Sequence, residues 1–496
     1  MQPIAAPAQD LPLFDVAATR AIERRAAAAL PPHTLMQRAG AAVARLALAI
    51  APHAGRVRVF AGPGNNGGDG FEAAMHLARA CRRVEVRLVG DPAKLPPDAA
   101  ASLARAREAG VLLVASFGAP VGADDLALDA LLGIGATRAP DGALAEAIGV
   151  LAAQPCPVLA IDLPSGLDAD TGRPLGPACV RADHTLTLLT LKPGLFTGAG
   201  RDHCGRVWFD AIGCGTEDLA PGAWLAGSLH AAAPARHHVQ HKGSFGDVAV
   251  VGGAPGMSGA ALLAGRAAHA AGAGRVFVQL LDGSGATGDG ARPELMFRPR
   301  WADGDPGVLA ATTVACGCGG GEAVAAVLPR LLAHVPRLVL DADALNTIAA
   351  DTALQALLTA RAGRRLATVL TPHPLEAARL VGGSTAAVQA DRLAAARSLA
   401  ERFGSVVLLK GSGTVVVGPG APTRINPTGS AALASAGTGD VLAGWLAGRW
   451  SQQPQAAPAS IAAGAAWSHG RAADGHAGDV LRAADLVERL AALPTG

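Results

Sequence analysis

Short apolar runs alternate with amphipathic segments through the first half of the chain. The stretch from Asp69 to Arg83 has the apolar spacing of a helix, and residues 15–50 predict two further helices before the first apolar run. Four apolar runs have the length of buried strands: 56–62, 84–90, 126–133 and 158–162. Strands that alternate with helices favour a parallel sheet covered by helices on both faces.

A second alternating pattern begins near residue 246 and continues toward the C-terminus. Its strand-like runs lie at 246–253, 275–280, 337–343, 367–374 and 406–411. Between the two patterns, residues 214–236 are rich in glycine, alanine and proline and carry few periodic signals. The sequence therefore predicts an α/β protein with two domains, 1–215 and 237–496, joined by a linker over 216–236.

Composition agrees with two folded domains. The 496 residues exceed the ~250–300 at which single cores stop growing, and 50% of them are hydrophobic. A net charge of +2 and an aromatic content of 3% give no reason to expect a nucleic-acid partner. The sequence offers neither a spanning apolar run nor a signal peptide, so we expect no membrane partner. Seven scattered cysteines without a CxxC pair fit a reducing cytoplasm, which is the expected location.

Lysine is rare in this chain. Lys94, Lys192, Lys242 and Lys410 stand beside 38 arginines, and the last three have a glycine within two residues. An ammonium is compact where a guanidinium is planar, so a retained lysine indicates a position that arginine does not fit.

A glycine-rich loop, Gly62-Pro-Gly-Asn-Asn-Gly-Gly-Asp-Gly70, follows the first predicted strand and opens a helix. Its glycines allow a tight turn whose backbone N–H groups favour a phosphate. Phosphate binding leaves Asn65, Asn66 and Asp69 unexplained, because asparagine side chains suit a hard monovalent cation or a polar ring. A turn capped by Asn and Asp is the structural alternative.

Polar side chains also end two later strands. Asp129 lies in the third predicted strand, and Asp162 and Ser165 follow the fourth. The carboxyl ends of parallel strands line one crevice, so these groups and Asn66 can converge. Oxygen ligands of this kind suit an alkali or alkaline-earth ion rather than zinc.

These motifs resemble those of the NAD(P)H-hydrate epimerases, and the resemblance covers residues 10–215. It includes the segments Lys192-Pro-Gly-Leu and Leu35-Met-Gln-Arg-Ala-Gly40, in which Gln37 stands where glutamate is commoner. The resemblance implies a Rossmann-like domain that binds hydrated NAD(P)H and a potassium ion. It implies that Asn66, Asp129 and Ser165 hold the ion. It implies cofactor contacts from Asp162 and from two loops: Asn65, Asn66, Gly67, Gly68 and Asp69, then Gly133, Ile134, Gly135, Ala136, Thr137, Arg138 and Ala139.

The chemistry of that substrate gives Asp162 a role. Inverting C6 of hydrated NAD(P)H requires the hydroxyl to leave and water to return on the other face. A carboxylate near C6 can shuttle the proton, and Asp162 is the candidate. An Asp162→Asn variant with full epimerisation rates would refute this hypothesis.

In the second half, Gly437-Thr-Gly-Asp440 is the most informative motif. N–H groups at a helix start favour phosphate oxygens, and an aspartate beside them can accept a hydroxyl proton. An ordinary helix N-cap is the alternative for Asp440. Lys410 with its glycines could approach a nucleotide phosphate, although the chain has no Walker A loop. His373 lies between two prolines and is equally open to substrate contact or a structural role.

These motifs resemble the NAD(P)H-hydrate dehydratases over residues 225–490, which implies a ribokinase-like domain. The resemblance implies contacts to hydrated NAD(P)H from Ala260, Gly319, His373 and Asp440, with Asp440 as the base. It implies adenine-nucleotide contacts from Lys410, Gly411, Ser412, Gly413, Thr414 and Gly439. The chain departs from that family at Cys318, where proline is commoner, and at Ser430, where asparagine is commoner.

The implied reaction uses the nucleotide to turn a poor leaving group into a good one. The C6 hydroxyl is phosphorylated, and phosphate is then eliminated to restore the double bond. ADP is the expected co-substrate by resemblance to bacterial members, with Mg²⁺ expected from phosphoryl-transfer chemistry.

The predicted function is repair of hydrated nicotinamide nucleotides. The first domain epimerises the R and S forms, and the second dehydrates the S form. All substrates are small molecules, and we expect a homo-oligomer because small-residue helix faces permit close packing between subunits. Two alternatives stay open: a kinase for a hydroxymethyl pyrimidine or a thiazole, and a scaffold similar to the mRNA-decapping enhancers. The choices between NADH and NADPH hydrate, and between ADP and ATP, stay open as well.

Overall fold

The computed structural model describes residues 1–117, 121–216, 219–478 and 480–494. The chain divides into two compact units, one of residues 1–5 and 12–223 and the other of residues 6–11 and 224–496. The segment 216–236, expected to be a linker, contains the strand Ala223–Leu225. Residues 217–218 of that segment, and the last two residues of the second predicted domain, lie outside the described residues.

The first nine strands belong to the N-terminal half. They are β1 Gln2–Pro3, β2 Leu11–Leu13, β3 Arg56–Ala61, β4 Arg83–Leu88, β5 Leu112–Leu113, β6 Leu126–Ala130, β7 Val158–Ile161, β8 His184–Leu188 and β9 Arg206–Asp210. Eight of them pair in the order β1-β9-β8-β7-β6-β3-β4-β5, and every neighbouring pair is parallel except β1 with β9. The chain runs outward in both directions from β3, so the topological switch point lies between β3 and β6.

Six helices accompany this sheet: α1 Val16–Ala29, α2 Thr34–Ile50, α3 Asn65–Arg79, α4 Pro97–Glu108, α5 Gly142–Ala152 and α6 Gly200–His203. The two helices predicted over residues 15–50 are present as α1 and α2. Helix α3 begins four residues before the predicted start because the backbone of Gly64 is extended and Asn65 is already helical. It ends before Cys81, whose φ of 60° is left-handed.

Side chains of each strand alternate between two apolar clusters, as expected for a sheet covered on both faces. Val59 and Leu128 pack into a cluster with α2 and α3. Phe60 and Ala127, one position along the same strands, pack into a separate cluster with α5. Burial on both faces leaves the strand ends as the place where polar groups can meet.

The second unit contains another mostly parallel sheet. Its strands are β10 Ala223–Leu225, β11 Asp247–Gly252, β12 Arg275–Leu280, β13 Met296–Phe297, β14 Thr313–Cys316, β15 Arg337–Leu340, β16 Ala367–Leu370, β17 Val406–Leu409, β18 Val415–Val417 and β19 Arg424–Ile425. They pair in the order β13-β12-β11-β14-β15-β16-β17-β18-β19-β10. Only the pairs formed by β18 are antiparallel, and the switch point lies between β11 and β14.

Eleven helices are described in this unit: α7 Ser258–Ala270, α8 Pro306–Ala311, α9 Leu328–His334, α10 Ala342–Ala350, α11 Thr352–Gly363, α12 Pro374–Val381, α13 Thr385–Ala390, α14 Arg392–Phe403, α15 Thr438–Gln452, α16 Pro458–Ala473 and α17 Ala483–Ala491. The predicted α/β fold class is confirmed. Among the described residues, none of the helices combines the length and apolar character needed to cross a bilayer.

Candidate active sites

A cavity of about 870 Å³ lies at the carboxyl ends of β3, β6, β7 and β8 in the first unit. Of the residues expected to contact the cofactor, Asn65, Asn66, Asp69, Asp162 and the run 133–139 line this cavity. Helix α1 contributes Thr19, Arg20 and Glu23 to the lining of the cavity. These residues belong to no recognisable motif, so the sequence analysis did not predict them. The switch point of the sheet therefore brings most of the predicted contacts to one place.

Gly67 and Gly68 are not among the residues that line the cavity, and both are closely packed. A Cβ atom on Gly67 would lie 2.0 Å from the carbonyl oxygen of Gly62, and one on Gly68 would lie 2.5 Å from Cε of Met36. These glycines allow the first turn of α3 to pack tightly against the preceding loop and α2. Their requirement for glycine is explained by packing.

Two of the three expected potassium ligands are in contact. Asp129 is fully buried, and its carboxylate accepts hydrogen bonds from Oγ of Ser165 at 2.6 Å and from N of Ser165 at 2.7 Å. Burial raises the pKa of Asp129 to about 6, although these hydrogen bonds act against the shift. Asn66 is also buried, and its Nδ2 atom has no hydrogen-bond partner within the described part of the chain.

Lys192 is completely buried and directs three hydrogen bonds to fixed groups of the first unit. Its Nζ lies 2.5 Å from Oδ1 of Asp162, 2.7 Å from O of Leu188 and 3.0 Å from Oγ1 of Thr187. Asp162 has a left-handed backbone with φ of 68°. Strained backbone of this kind concentrates at functional sites, so the ion pair fixes Asp162 in an unusual conformation at the cavity wall.

Two of the other carboxyl groups that line this cavity have a raised pKa. Burial and the charges of Asp162, Glu23 and Glu72 raise the pKa of Asp69 well above its usual range. Burial and the charge of Asp162 also raise the pKa of Glu23. The cavity thus contains one lysine-paired carboxylate and two carboxyl groups whose ionisation is disfavoured.

The second unit gathers its charged groups at the ends of β15, β16 and β17. The Lys410 ammonium lies 2.7 Å from Oδ1 of Asp341 and 3.9 Å from Oε2 of Glu376. Burial lowers the pKa of Lys410, but the two carboxylates outweigh it and the pKa is raised overall. Burial raises the pKa of Glu376 to about 7. Asp341 lies in the predicted strand run 337–343 and Glu376 just after the run 367–374, and neither residue had a predicted role.

Asp440 joins this group from the first turn of α15. The N-cap of that helix is Gly437, so the N-cap alternative for Asp440 is wrong. One ligand atom from each of Cys318, Asp341 and Asp440 lies within 4.8 Å of the other two. Burial and the charge of Asp341 raise the pKa of Asp440 to about 6. A Cβ atom on Gly439 would lie 3.3 Å from Nζ of Lys410, so a side chain there would crowd the lysine.

The other expected contacts are His373 at the N-cap of α12, Ala260 in the first turn of α7 and Gly319 in the loop after β14. His373 caps α12: its Nδ1 accepts hydrogen bonds from the backbone of Leu375 and Glu376, which satisfies the structural alternative. Burial and Lys410 lower the pKa of His373. A Cβ atom on Gly319, whose φ is 59°, would lie 2.9 Å from Cβ of Ala260, which places these two residues side by side.

The loop after β17 contains the expected nucleotide contacts. Gly411 and Gly413 have φ values of 136° and 61°, which side-chain-bearing residues rarely adopt. Thr414 closes the loop by donating from Oγ1 to the carbonyl oxygen of Gly411 at 3.1 Å. Ser430, the departure from the family pattern, donates from Oγ to O of Ala473 at 3.4 Å.

Comparison with known proteins gives matches to both halves of the chain. A family profile described as NAD(P)H-hydrate dehydratase matches residues 248–492, and one described as YjeF-related protein N-terminus matches residues 32–194. The bifunctional NAD(P)H-hydrate repair enzyme Nnr of Escherichia coli K12 is 37% identical over 89% of this chain and 85% of its own length. The corresponding enzyme of Coxiella burnetii is 36% identical over 92% and 93% of the two chains.

Solved structures similar to the C-terminal half include two proteins of about half the length of this chain. An ADP/ATP-dependent NAD(P)H-hydrate dehydratase from Bacillus subtilis, co-crystallised with ATP and Mg²⁺, is 26% identical with a TM-score of 0.42; the match covers 53% of this chain and 93% of that one. A ribokinase-like superfamily protein from Enterococcus faecalis is 24% identical with a TM-score of 0.45, over 53% and 92%.

Proposed function

Because this chain belongs to the bifunctional NAD(P)H-hydrate repair enzymes, we propose that its two carboxylate sites divide the repair between them. The enzyme has an epimerase domain, which interconverts the R and S forms of hydrated NAD(P)H, and a dehydratase domain, which returns the S form to NAD(P)H. The observation that carries the proposal is that each unit holds a lysine–aspartate pair at the carboxyl ends of its parallel strands. We assign residues 1–215 to the epimerase and residues 237–496 to the dehydratase.

In the epimerase domain, Asp162 is the carboxylate that exchanges a proton with water at C6. The Lys192 ammonium lies 2.5 Å from its Oδ1 and holds the side chain in place at the cavity wall. The hydrated cofactor occupies the cavity, in contact with Asn65, Asn66, Asp69 and the loop 133–139. Gly67 and Gly68 allow the first turns of α3, which carry Asn65, Asn66 and Asp69, to pack closely against Gly62 and Met36.

Asn66, Asp129 and Ser165 hold the potassium ion of the epimerase domain. The amide, carboxylate and hydroxyl groups form an all-oxygen donor set suited to a hard cation. A potassium ion there supplies a fixed positive charge next to a carboxylate whose burial is otherwise unfavourable. Raising KCl at constant ionic strength should raise the melting temperature of the wild-type enzyme and not that of Ser165→Ala, in thermal scans with NaCl as the control.

In the dehydratase domain, Asp440 is the base that takes the proton from the C6 hydroxyl as that oxygen attacks the terminal phosphate of ADP. AMP leaves, and phosphate is then eliminated from C6 as C5 loses a proton and the double bond returns. Lys410, whose side chain is 18% exposed, contacts the nucleotide phosphates together with Gly439 and the loop of Gly411, Ser412, Gly413 and Thr414. Ala260, Gly319 and His373 contact the hydrated cofactor.

Mg²⁺ enters this domain with the nucleotide. The cluster of Cys318, Asp341 and Asp440 does not fit a dedicated Mg²⁺ cage, because the Lys410 ammonium already lies 2.7 Å from Asp341. Mg²⁺ is commonly bound through substrate phosphates and water rather than by protein ligands alone. The phosphates of ADP supply those ligands here.

Family membership over both halves of the chain disfavours the two alternatives left by the sequence. A vitamin-precursor kinase would account for the second unit only, and a scaffold would need neither lysine–aspartate pair. We further propose that the enzyme acts in a reducing cytoplasm as a homo-oligomer. All seven cysteines are free thiols, which is compatible with that compartment.

The direct test is incubation of the full-length enzyme with hydrated NADH and either ADP or ATP. The expected result is recovery of the absorbance band of reduced nicotinamide, faster with ADP than with ATP. The Asp162→Asn variant should still repair the S epimer while losing accelerated repair of the R epimer. Absence of recovery with both nucleotides would refute the proposal.

A further inference from the structure

The epimerase cavity contains a carboxyl group, Asp69, whose surroundings are opposite to those of Asp162. Both side chains line the same cavity, Asp69 from the first turns of α3 and Asp162 from the end of β7. Within the described ranges 1–117, 121–216, 219–478 and 480–494, the Asp69 carboxyl has neither a hydrogen bond nor an ion pair. Asp162 has both.

The charges that face Asp69 disfavour its ionisation. Glu23, Glu72 and Asp162 surround it with three further carboxyl groups. Two nearby cations are engaged elsewhere: the Arg105 guanidinium lies 2.7 Å from Glu72, and the Lys192 ammonium makes its three hydrogen bonds to other groups. The other charged residues that line the cavity are Arg20, Arg138, Asp98 and Asp141, and Asp98 pairs with His33. Partial burial among like charges favours the protonated form of a carboxyl group.

Two carboxyl groups in opposite protonation states are what inversion at C6 requires. Departure of hydroxide needs a proton donor, and return of water needs a proton acceptor. Asp162, which is paired with Lys192, and Asp69, which lies among like charges, offer contrasting environments for these two roles. One residue acting alone would have to serve both faces of the ring.

We propose that Asp69 is a second catalytic residue of the epimerase: the general acid that protonates the departing C6 hydroxyl, while Asp162 accepts the proton of the incoming water. The Asp69 proton passes to the C6 oxygen, the C6–O bond breaks with its electron pair on oxygen, and water leaves. The ring nitrogen lone pair stabilises the cation. A second water attacks the opposite face and gives its proton to Asp162, which returns it to Asp69 through solvent. This role rests on the proposed epimerase function.

The test uses the full-length enzyme and the R epimer of hydrated NADH in ¹⁸O-labelled water. Each epimerisation event should place one ¹⁸O at C6, which mass spectrometry counts directly. Asp69→Asn should lower the rate of label incorporation by about 10²–10⁴-fold, because an amide cannot donate the proton. The dehydratase activity of the same molecules toward the S epimer should be unchanged, which controls for folding and concentration.

The pH profile separates catalysis from positioning. The wild-type epimerisation rate should fall with rising pH as Asp69 ionises, and Asp69→Glu should restore part of the rate with such an alkaline limb. Asp69→Asn should lose that limb. The matched control is Asp124→Asn, which removes an exposed carboxylate from a turn outside the cavity and should behave as wild type.

Three results would overturn the role of Asp69. They are a wild-type rate in Asp69→Asn, a slow Asp69→Asn variant that keeps the alkaline limb, and a wild-type profile with no alkaline limb. The last needs no variant, so misfolding of a mutant leaves the proposal testable. If the wild-type enzyme incorporates no label at all, the epimerase function itself fails, which is a distinguishable outcome.

Discussion

The two domains use the same pair of residues in two different ways. Lys192 is completely buried and makes hydrogen bonds to Asp162, Thr187 and Leu188, so every donor of its ammonium has a fixed partner. Lys410 makes one close contact, with Asp341 at 2.7 Å, and its side chain is 18% exposed beside a glycine loop. The first lysine is therefore part of the protein framework, and the second is available to a phosphate.

Left-handed backbone accompanies the pair in both domains, at Asp162 itself and at Ala342, which follows Asp341. The difference lies in which aspartate does the chemistry. In the epimerase the lysine-paired Asp162 lines the cavity. In the dehydratase Asp341 pairs with the lysine, and Asp440, whose pKa is raised to about 6, makes no ion pair with the described residues. In the first arrangement the lysine holds the aspartate that reacts, and in the second the lysine itself is positioned for the nucleotide.

Removal of Asp440 should separate the two domains most strongly. Asp440→Asn should lower ADP-dependent dehydration of the S epimer by about 10²–10⁴-fold, because the amide cannot accept the hydroxyl proton. The epimerisation rate of the same variant should equal that of wild type, measured by ¹⁸O incorporation. A matched fall in both rates would mean that the change acts through folding, and the assignment would fail.

Replacing each lysine by methionine tests the contrast directly. Lys192→Met should lower the free energy of unfolding of the epimerase domain by about 3–5 kcal/mol, because it leaves the largely buried Asp162 carboxylate, 14% exposed, without its counterion. Lys410→Met should also destabilise its domain, because Asp341 is only 2% exposed, and it should in addition raise the KM for ADP. Urea unfolding followed by domain-specific probes, with ADP titrations, would measure both effects. A KM for ADP that rises in both variants, or in neither, would contradict the distinction.

The sequence predicted the loops that form the two candidate sites better than it predicted the neighbouring side chains that shift the pKa values within them. The loops after β3, β6 and β7 could be found because glycines and polar residues directly follow apolar runs, and the switch points of both sheets bring such loops together. The rarity of lysine also marked Lys192 and Lys410 as positions to examine. Glu23 could not be found this way, because it lies on an amphipathic helix with no local signal.

Other misses have equally specific causes. Helix α3 begins at Asn65 rather than at Asp69, because the extended backbone of Gly64 ends the preceding loop there. The polar and glycine residues 65–68 therefore belong to the first turn of the helix. Gly67 and Gly68 were expected at the cavity, but only the packing of α3 against Gly62 and Met36 shows why they must be glycine. Glu376 acquires its pKa of about 7 from burial that depends on the tertiary fold.

The smallest expected effect is a difference in pH dependence between epimerisation and dehydration. The two rates should change in opposite directions with pH. Dehydration should fall about tenfold per pH unit below about pH 6, because the base Asp440 becomes protonated. Epimerisation should instead fall as pH rises, because the acid Asp69, whose pKa is raised, loses its proton as the pH increases. Initial rates of both steps in one buffer series would show whether the profiles diverge.

The central claim is that each domain carries one complete step, with Asp162 and Asp440 at the respective reaction centres. Mixing two full-length variants tests it most directly. On the R epimer with ADP, Asp162→Asn and Asp440→Asn should each fail to accelerate recovery of reduced-nicotinamide absorbance, and an equimolar mixture should restore it. Rapid repair by either variant alone, or no recovery by the mixture, would contradict the account.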